Sequence, residues 1–316
     1  MTAIIATVMA TSLAADPLPS WNSGETKSAI IAFVDAVTDP ESKKYVTPDD
    51  RIAVFDNDGT LWTEQPGYFQ ILFAIDQVKK MDASELTSDA LKAAAAGDIG
   101  ALLASGKEGL LEVLAAAHTG MSVADFKSSV AQWLDEASHP TTGRPYTEMI
   151  YQPMLELLSY LRDEDFATYI VSGGGIDFIR VLSEDAYNIP VNQVIGSSLV
   201  SEYVVGDGAP VLMKKPDLFF NDDKAGKPVA INHHIGKRPI FAGGNSDGDF
   251  QMLEWTTSGE GPSFGLLVHH TDADREWAYD REGHIGVLNR GLDEGPGLGW
   301  HFADMAQDWA EIWPEE

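Results

Sequence analysis

AVFDNDGTLW, residues 53–62, sets an apolar run, Ile52-Ala53-Val54-Phe55, directly against Asp56-Asn57-Asp58-Gly59-Thr60. A short unbroken apolar run is what a strand buried on both faces requires. Two carboxylates at its end are costly to crowd or bury unless a cation or a proton neutralises them. The stretch therefore predicts a buried strand whose carboxyl end is a chemical site.

The flanking sequence alternates in the same way. Residues 25–38 place Ala29, Ile30, Phe33, Val34 and Val37 on one helical face. After residue 150 come a helix (MLELLSYLRDEDF), a strand into a glycine loop (ATYIVSGGG) and a helix (IDFIRVLSEDAYN). QVIGSSLV and SEYVV are strand-like, and GDGAP is a hairpin-type turn signal. RPIFAGGNSDGD is a further buried strand running into an acidic loop, and FGLLVHH is the last. Strands alternating with helices predict an α/β fold with a doubly wound parallel sheet, a Rossmann-like core. Ligands in such folds lie beyond the carboxyl ends of the strands, where the two acidic loops and the Ser-Gly-Gly-Gly loop can converge.

Between about 66 and 145 strand-like runs vanish and alanine and leucine dominate, with breaks at Gly97, Gly106 and Gly120. The expected organisation is a core of residues 21–64 and 146–316 with a helical cap, 65–145, inserted into it. Residues 1–20 read as a signal peptide or an N-terminal arm. Residues 3–15 are apolar and small, and Ser12-Leu13-Ala14 resembles a cleavage site, but no Lys or Arg precedes them. A cleaved leader implies a periplasmic or secreted protein, an arm a cytoplasmic one.

Composition narrows the function classes. With 49 acidic and 21 basic residues the formal charge is −28, which disfavours nucleic acid and anionic membranes as partners. The chain has no cysteine, so thiolate catalysis, disulfides and Cys-ligated zinc are excluded. No segment reaches the ~18 apolar residues of a membrane span. Two histidine pairs, His233-His234 and His269-His270, lack the clustered ligands of a zinc site, and neighbouring residues do not share a face. MAQDWAEIW at the end reads as a helix packing Met305, Trp309, Ile312 and Trp313 onto the core.

Four stretches in order carry a resemblance. FDNDGTLW, IVSGGG, AGKPVAI and GGNSDGD resemble the four motifs of the haloacid dehalogenase-like hydrolases, and the helical insert falls between the first and second. The branch they most resemble is the phosphoserine-phosphatase-like group with a helical cap. The resemblance implies a magnesium-dependent phosphatase acting on a small phosphorylated metabolite through an aspartyl-phosphate. In those terms Asp56 is the nucleophile, and Asp58 protonates the leaving oxygen and then activates water. Lys227 holds nucleophile and phosphate together, with Lys224 as a rival. Ser172 and the amides of Gly173 and Gly174 bind the phosphoryl oxygens, and Thr60 joins that set.

Asp56 and Asp58, with a third loop, make a hard oxygen site suited to Mg2+. The family's fourth motif usually begins Gly-Asp, whereas here Asn245 stands at that position. Asp249 and Asp247 are the further metal-site candidates. Glu64, Gln65, Tyr68 and Arg144 are the expected substrate contacts where cap meets core. A dehalogenase is disfavoured by Asp58, the second acid that family dehalogenases lack. A phosphotransferase using the same intermediate and an inactive phosphate-binding protein are the alternatives.

Overall fold

The computed structural model describes residues 15–206 and 208–314, apart from the side chain of Lys107. The leader-like run up to Ala14 lies outside the described residues. In chain order the strands are β1 (Ile52–Phe55), β2 (Ala167–Gly175), β3 (Val194–Val204), β4 (Val211–Phe220), β5 (Phe241–Gly244), β6 (Phe264–Thr271), β7 (Ala278–Tyr279) and β8 (His301–Asp304). They form one sheet in the order β4-β3-β2-β1-β5-β6-β7, with β8 also pairing β6. β1, β2, β3, β5, β6 and β8 are mutually parallel, and β4 and β7 are antiparallel additions.

Burial explains why β1 is central. Ala53 and Phe55 belong to one core layer, with Ile30, Val34 and Phe241, while Ile52 and Val54 belong to the opposite layer, with Ile231, Phe250 and Leu253. Alternate residues of one strand thus fill two cores, which demands an unbroken apolar run. The helices are α1 (Glu25–Thr38), α2 (Phe69–Val78), α3 (Asp89–Ala96), α4 (Ile99–Ala104), α5 (Gly106–His118), α6 (Val123–Glu136), α7 (Gln152–Asp163), α8 (Ile176–Tyr187), α9 (Gly226–His234), α10 (Phe250–Thr257), α11 (Arg290–Glu294) and α12 (Met305–Asp308). None of them is long and apolar enough to cross a membrane.

α2 to α6 form the alanine- and leucine-rich lobe. Side-chain caps start three of its helices: Ser88 accepts from Leu91 N, Asp98 from Ala101 N and Ser122 from Asp125 N. The chain leaves the core and returns side by side, since Thr63 N donates to Met149 O and Tyr151 N to Leu61 O. The lobe is also fastened from the other side. Lys214 N in β4 donates to Met121 O (2.9 Å), and Gly120 N to Lys214 O (3.3 Å).

Two expectations differ from the structure. QVIGSSLV and SEYVV are one strand, β3, hairpinned to β4. The C-terminal helix stops at Asp308 because its main chain pairs elsewhere: Asn22 N donates to Asp308 O and Ala310 N to Ser20 O. Met305, Trp309 and Ile312 are nevertheless buried in the core, as their apolar character requires.

Candidate active site

Three loops meet because of the strand order. From β1 the sheet grows to β2 and β3 on one side and to β5 and β6 on the other. The carboxyl ends of β1, β2 and β5 therefore flank a switch point, the place where α/β sheets bind ligands. A cavity of about 710 Å³ opens there, with Asp56, Asp58, Ser172, Gly173, Gly174, Lys227 and Asp249 among its lining residues.

Lys227, from α9, is among the lining residues and is 1 % exposed. Its Nζ is 2.7 Å from Asp56 Oδ1, 2.8 Å from Asp249 Oδ1 and 2.7 Å from the Val171 carbonyl oxygen. Asp249 is fixed in turn, its Oδ2 accepting from the backbone N–H of Asn245 and of Ser246, each at 3.0 Å. Burial opposes the charge on Lys227, but Asp249, Asp56 and Asp222 outweigh it and hold the ammonium protonated. Burial pushes the Asp56 carboxyl well up, and Asp249 adds to this, against the pull of Lys227. The two tendencies at this contact are opposed. The 2.7 Å geometry favours the charged pair, so Lys227⁺ with an ionised Asp56 is the working state.

Asp58 accepts from Trp62 Nε1 at 2.9 Å, and burial raises its pKa to about 6 despite that bond and the pull of Lys227. A carboxyl of this kind can give and take a proton near neutral pH. Gly59 turns the loop at φ +73°, and a Cβ there would lie only 2.0 Å from Asn245 Nδ2, so no larger residue fits. Ser172 is fully buried, and its Oγ accepts from Gly174 N at 3.0 Å.

The other expected residues divide. Glu64 and Tyr68 line the cavity. Glu64 Oε1 accepts from Asn245 Nδ2 (2.8 Å) and from Tyr279 OH (2.9 Å), and burial raises its pKa well above the carboxylate range. Asn245 lies behind the cavity lining, 1 % exposed, its Oδ1 accepting from Thr60 Oγ1 at 3.1 Å. Thr60 is therefore corrected from a phosphate contact to a buried brace of Asn245. Asp247 is also corrected: its carboxylate accepts from the backbone N–H of Asn289, Arg290 and Gly291 at the start of α11. Gln65 is outside the lining, its carbonyl 2.7 Å from His139 Nε2, and Arg144 packs its guanidinium over the Trp313 ring. Lys224, the rival lysine, is exposed.

Further residues join the site. His270 Nε2 is 2.7 Å from the Gly59 carbonyl oxygen, its ring stacks on Tyr279, and Glu276 faces Nδ1 at 3.3 Å. The available signal was the position of His269-His270 at the end of a strand beside the site. Gln70 Oε1 accepts from Gly175 N at 2.6 Å and so joins the lobe to the glycine loop. Nothing in the pattern of α2 distinguishes that residue from a solvated one.

Asp222, just after β4, is buried, and its carboxyl oxygens have no hydrogen-bond partner among the described residues. Burial raises its pKa from 3.8 to about 7, against the pull of Lys227. Between those values the folded chain keeps a proton that the unfolded chain has lost. This contribution to stability is present below pH 3.8 and is lost as pH rises through about 7. Asp222→Asn is expected to exceed the wild type in stability at pH 8 by about 1–3 kcal/mol, a gap that closes toward pH 4. Urea unfolding at both pH values measures it, and a gap independent of pH would refute the assignment.

Among known proteins, the family model of the haloacid dehalogenase-like hydrolases matches residues 53–254. No curated protein sequence matches the chain. A conserved functionally unknown protein from Anaerococcus prevotii DSM 20548 is similar in structure, with 17% identity, 92% of this chain and 94% of that one covered, and a TM-score of 0.56. A protein with unknown function from Bordetella pertussis Tohama I is similar at 14% identity, with 81% and 98% coverage and a TM-score of 0.50. A phosphoserine phosphohydrolase-like protein from Francisella tularensis subsp. tularensis SCHU S4 aligns at 17% identity, with 78% and 99% coverage and a TM-score of 0.42.

Proposed function

The chain belongs to the haloacid dehalogenase-like hydrolases, and from that premise we propose that it is a magnesium-dependent phosphatase of small phosphate monoesters, with residues 65–145 as its cap. The observation that carries this reading is Lys227, buried between Asp56 and Asp249 at the carboxyl ends of β1 and β5.

With Oδ1 held by Lys227, Asp56 Oδ2 attacks phosphorus and the ester P–O bond breaks. Asp58 gives its proton to the departing oxygen, and the alcohol leaves. Asp58 then takes a proton from water, whose oxygen attacks the aspartyl-phosphate, releasing inorganic phosphate and restoring Asp56. Ser172 and the glycine amides after it hold the phosphoryl oxygens, and Lys227 offsets their charge.

The donor set fits a hard divalent cation. Asp56 and Asp249 flank Lys227, and Asp58 and Glu64 line the same cavity, an excess of acid over the one lysine. Among the described residues no three acidic or histidine side chains form a ready-made cage. That pattern suits magnesium, which is commonly held by one or two carboxylates together with substrate phosphate and water. Asp56 and Asp58 would hold it, with Asn245 and Glu64 behind them. When bound, it supplies positive charge that lowers the Asp56 pKa and neutralises the phosphoryl oxygens.

The expected result is phosphate release from p-nitrophenyl phosphate with magnesium, abolished by a chelator and restored by added Mg2+. Unaffected release in the chelator would remove the metal from the reading, and no release in either condition would remove the phosphatase activity.

A further inference from the structure

The cavity is much larger than its charged floor requires. A phosphoryl group takes the share of only a few waters, at about 30 Å³ each, whereas the cavity measures about 710 Å³. Among the residues that line the remaining space are leucines of a particular kind. Leu103 and Leu111 come from the lobe, on α4 and α5, and Leu199 and Leu218 from the β3–β4 hairpin. None of the four is part of either hydrophobic core, and Leu218 is 40 % exposed. Leucine is a side chain that folding ordinarily buries. Here four of them, from two separate parts of the chain, face one cavity without a packing role in either core. The hydrogen bonds between Lys214 and the Gly120–Met121 segment hold the two walls in register.

The charges in the walls point the same way. Lys214 Nζ is already paired with Asp177 Oδ2 at 2.5 Å. Asp217 and Asp223 also line the cavity. Among the described side chains that line it, no unpaired Lys or Arg awaits a second anionic group. His118 is buried against the Phe126 ring, and neither of its ring nitrogens has a partner among the described residues. Burial lowers its pKa to about 3, so it stays neutral and can meet at most an uncharged polar group.

We propose that the substrate is the phosphate monoester of an apolar, uncharged alcohol, whose hydrocarbon body lies against Leu103, Leu111, Leu199 and Leu218 while its phosphate rests at Asp56. The inference builds on the phosphatase reading and adds the chemistry of the leaving group. It disfavours esters that carry a carboxylate or a second phosphate.

The test is kcat/KM for phosphate release from ethyl, butyl and hexyl phosphate, beside O-phosphoserine and glycerol phosphate. Burial of each methylene is expected to raise kcat/KM about threefold, roughly 10²-fold from ethyl to hexyl phosphate. The two polar esters should fall at or below ethyl phosphate. Leu111→Asn should flatten the dependence on chain length; Leu199→Asn, on the opposite wall, is read in the same way if the first variant does not fold. Equal rates along the alkyl series, or a preference for O-phosphoserine, would overturn this inference and leave the phosphatase reading standing. Release from none of the esters would overturn that reading and this inference with it.

Discussion

Asp56→Asn is expected to lower turnover of p-nitrophenyl phosphate by on the order of 10³-fold or more while the protein stays folded. Asp56 directly follows β1, and Lys227 holds its Oδ1 at 2.7 Å. The amide has the same shape and keeps an oxygen for Lys227, but it is a far poorer nucleophile than the carboxylate. Folding should be unharmed because the substitution removes a buried acid whose pKa is already pushed up by desolvation. Lys227 also keeps Asp249 and the Val171 carbonyl as partners. Turnover with saturating magnesium, together with the thermal midpoint, measures both halves. Near-normal turnover in a folded Asp56→Asn protein would place the covalent step on another residue or remove it.

Lys227→Met should be the more damaging change to the fold. The side chains are similar in length, so the cavity left behind is small and the loss is mainly one of charge. Asp56 and Asp249 would then face each other with no cation between them. Removing one partner of a buried ion pair typically costs about 3–5 kcal/mol. Turnover should fall on the order of 10³-fold as well, because nothing else offsets the phosphoryl charge at that point. Adding Asp249→Asn removes one of the stranded carboxylates and should recover much of the stability but none of the activity. Chemical unfolding of the single and double variants decides this. A Lys227→Met protein as stable as the wild type would mean that Asp56 and Asp249 do not carry the charge assigned to them.

The sequence made the centre of this molecule legible for a physical reason. A strand between two hydrophobic layers needs apolar residues at every position, so Ile52–Phe55 announces its own burial. The acidic turn after it and the glycine loop after Val171 are local patterns, fixed by residues adjacent in the chain. Membership of the family and the α/β class follow from those stretches. The buried lysine was legible only through the order of motifs, since Lys224 and Lys227 are alike as local sequence.

What the chain order could not supply is which side chains meet from a distance. Asn245 looked like a weakened metal ligand; in the fold it lies between Thr60 and Glu64, so a carboxylate at position 64 sits beside the position that lacks one. Asp247 and Asp249 both stood as candidates for the metal site, with Asp249 expected to orient that site or Lys227; one caps a turn at Asn289–Gly291 and the other pairs with Lys227. Two residues apart on an irregular loop, they point to different partners, and no periodicity encodes that choice. Likewise, nothing in the local sequence sets Leu103, Leu111, Leu199 and Leu218 apart from other leucines. Only the closure of the hairpin onto the lobe leaves them facing a cavity, because burial is a property of the assembled surfaces and not of the residue type. By itself, then, the sequence determined the α/β class, the buried strand with its acidic turn, and the family. The tertiary structure decided which charges neutralise one another and what kind of body the site has room for, since both depend on contacts between residues tens to hundreds of positions apart.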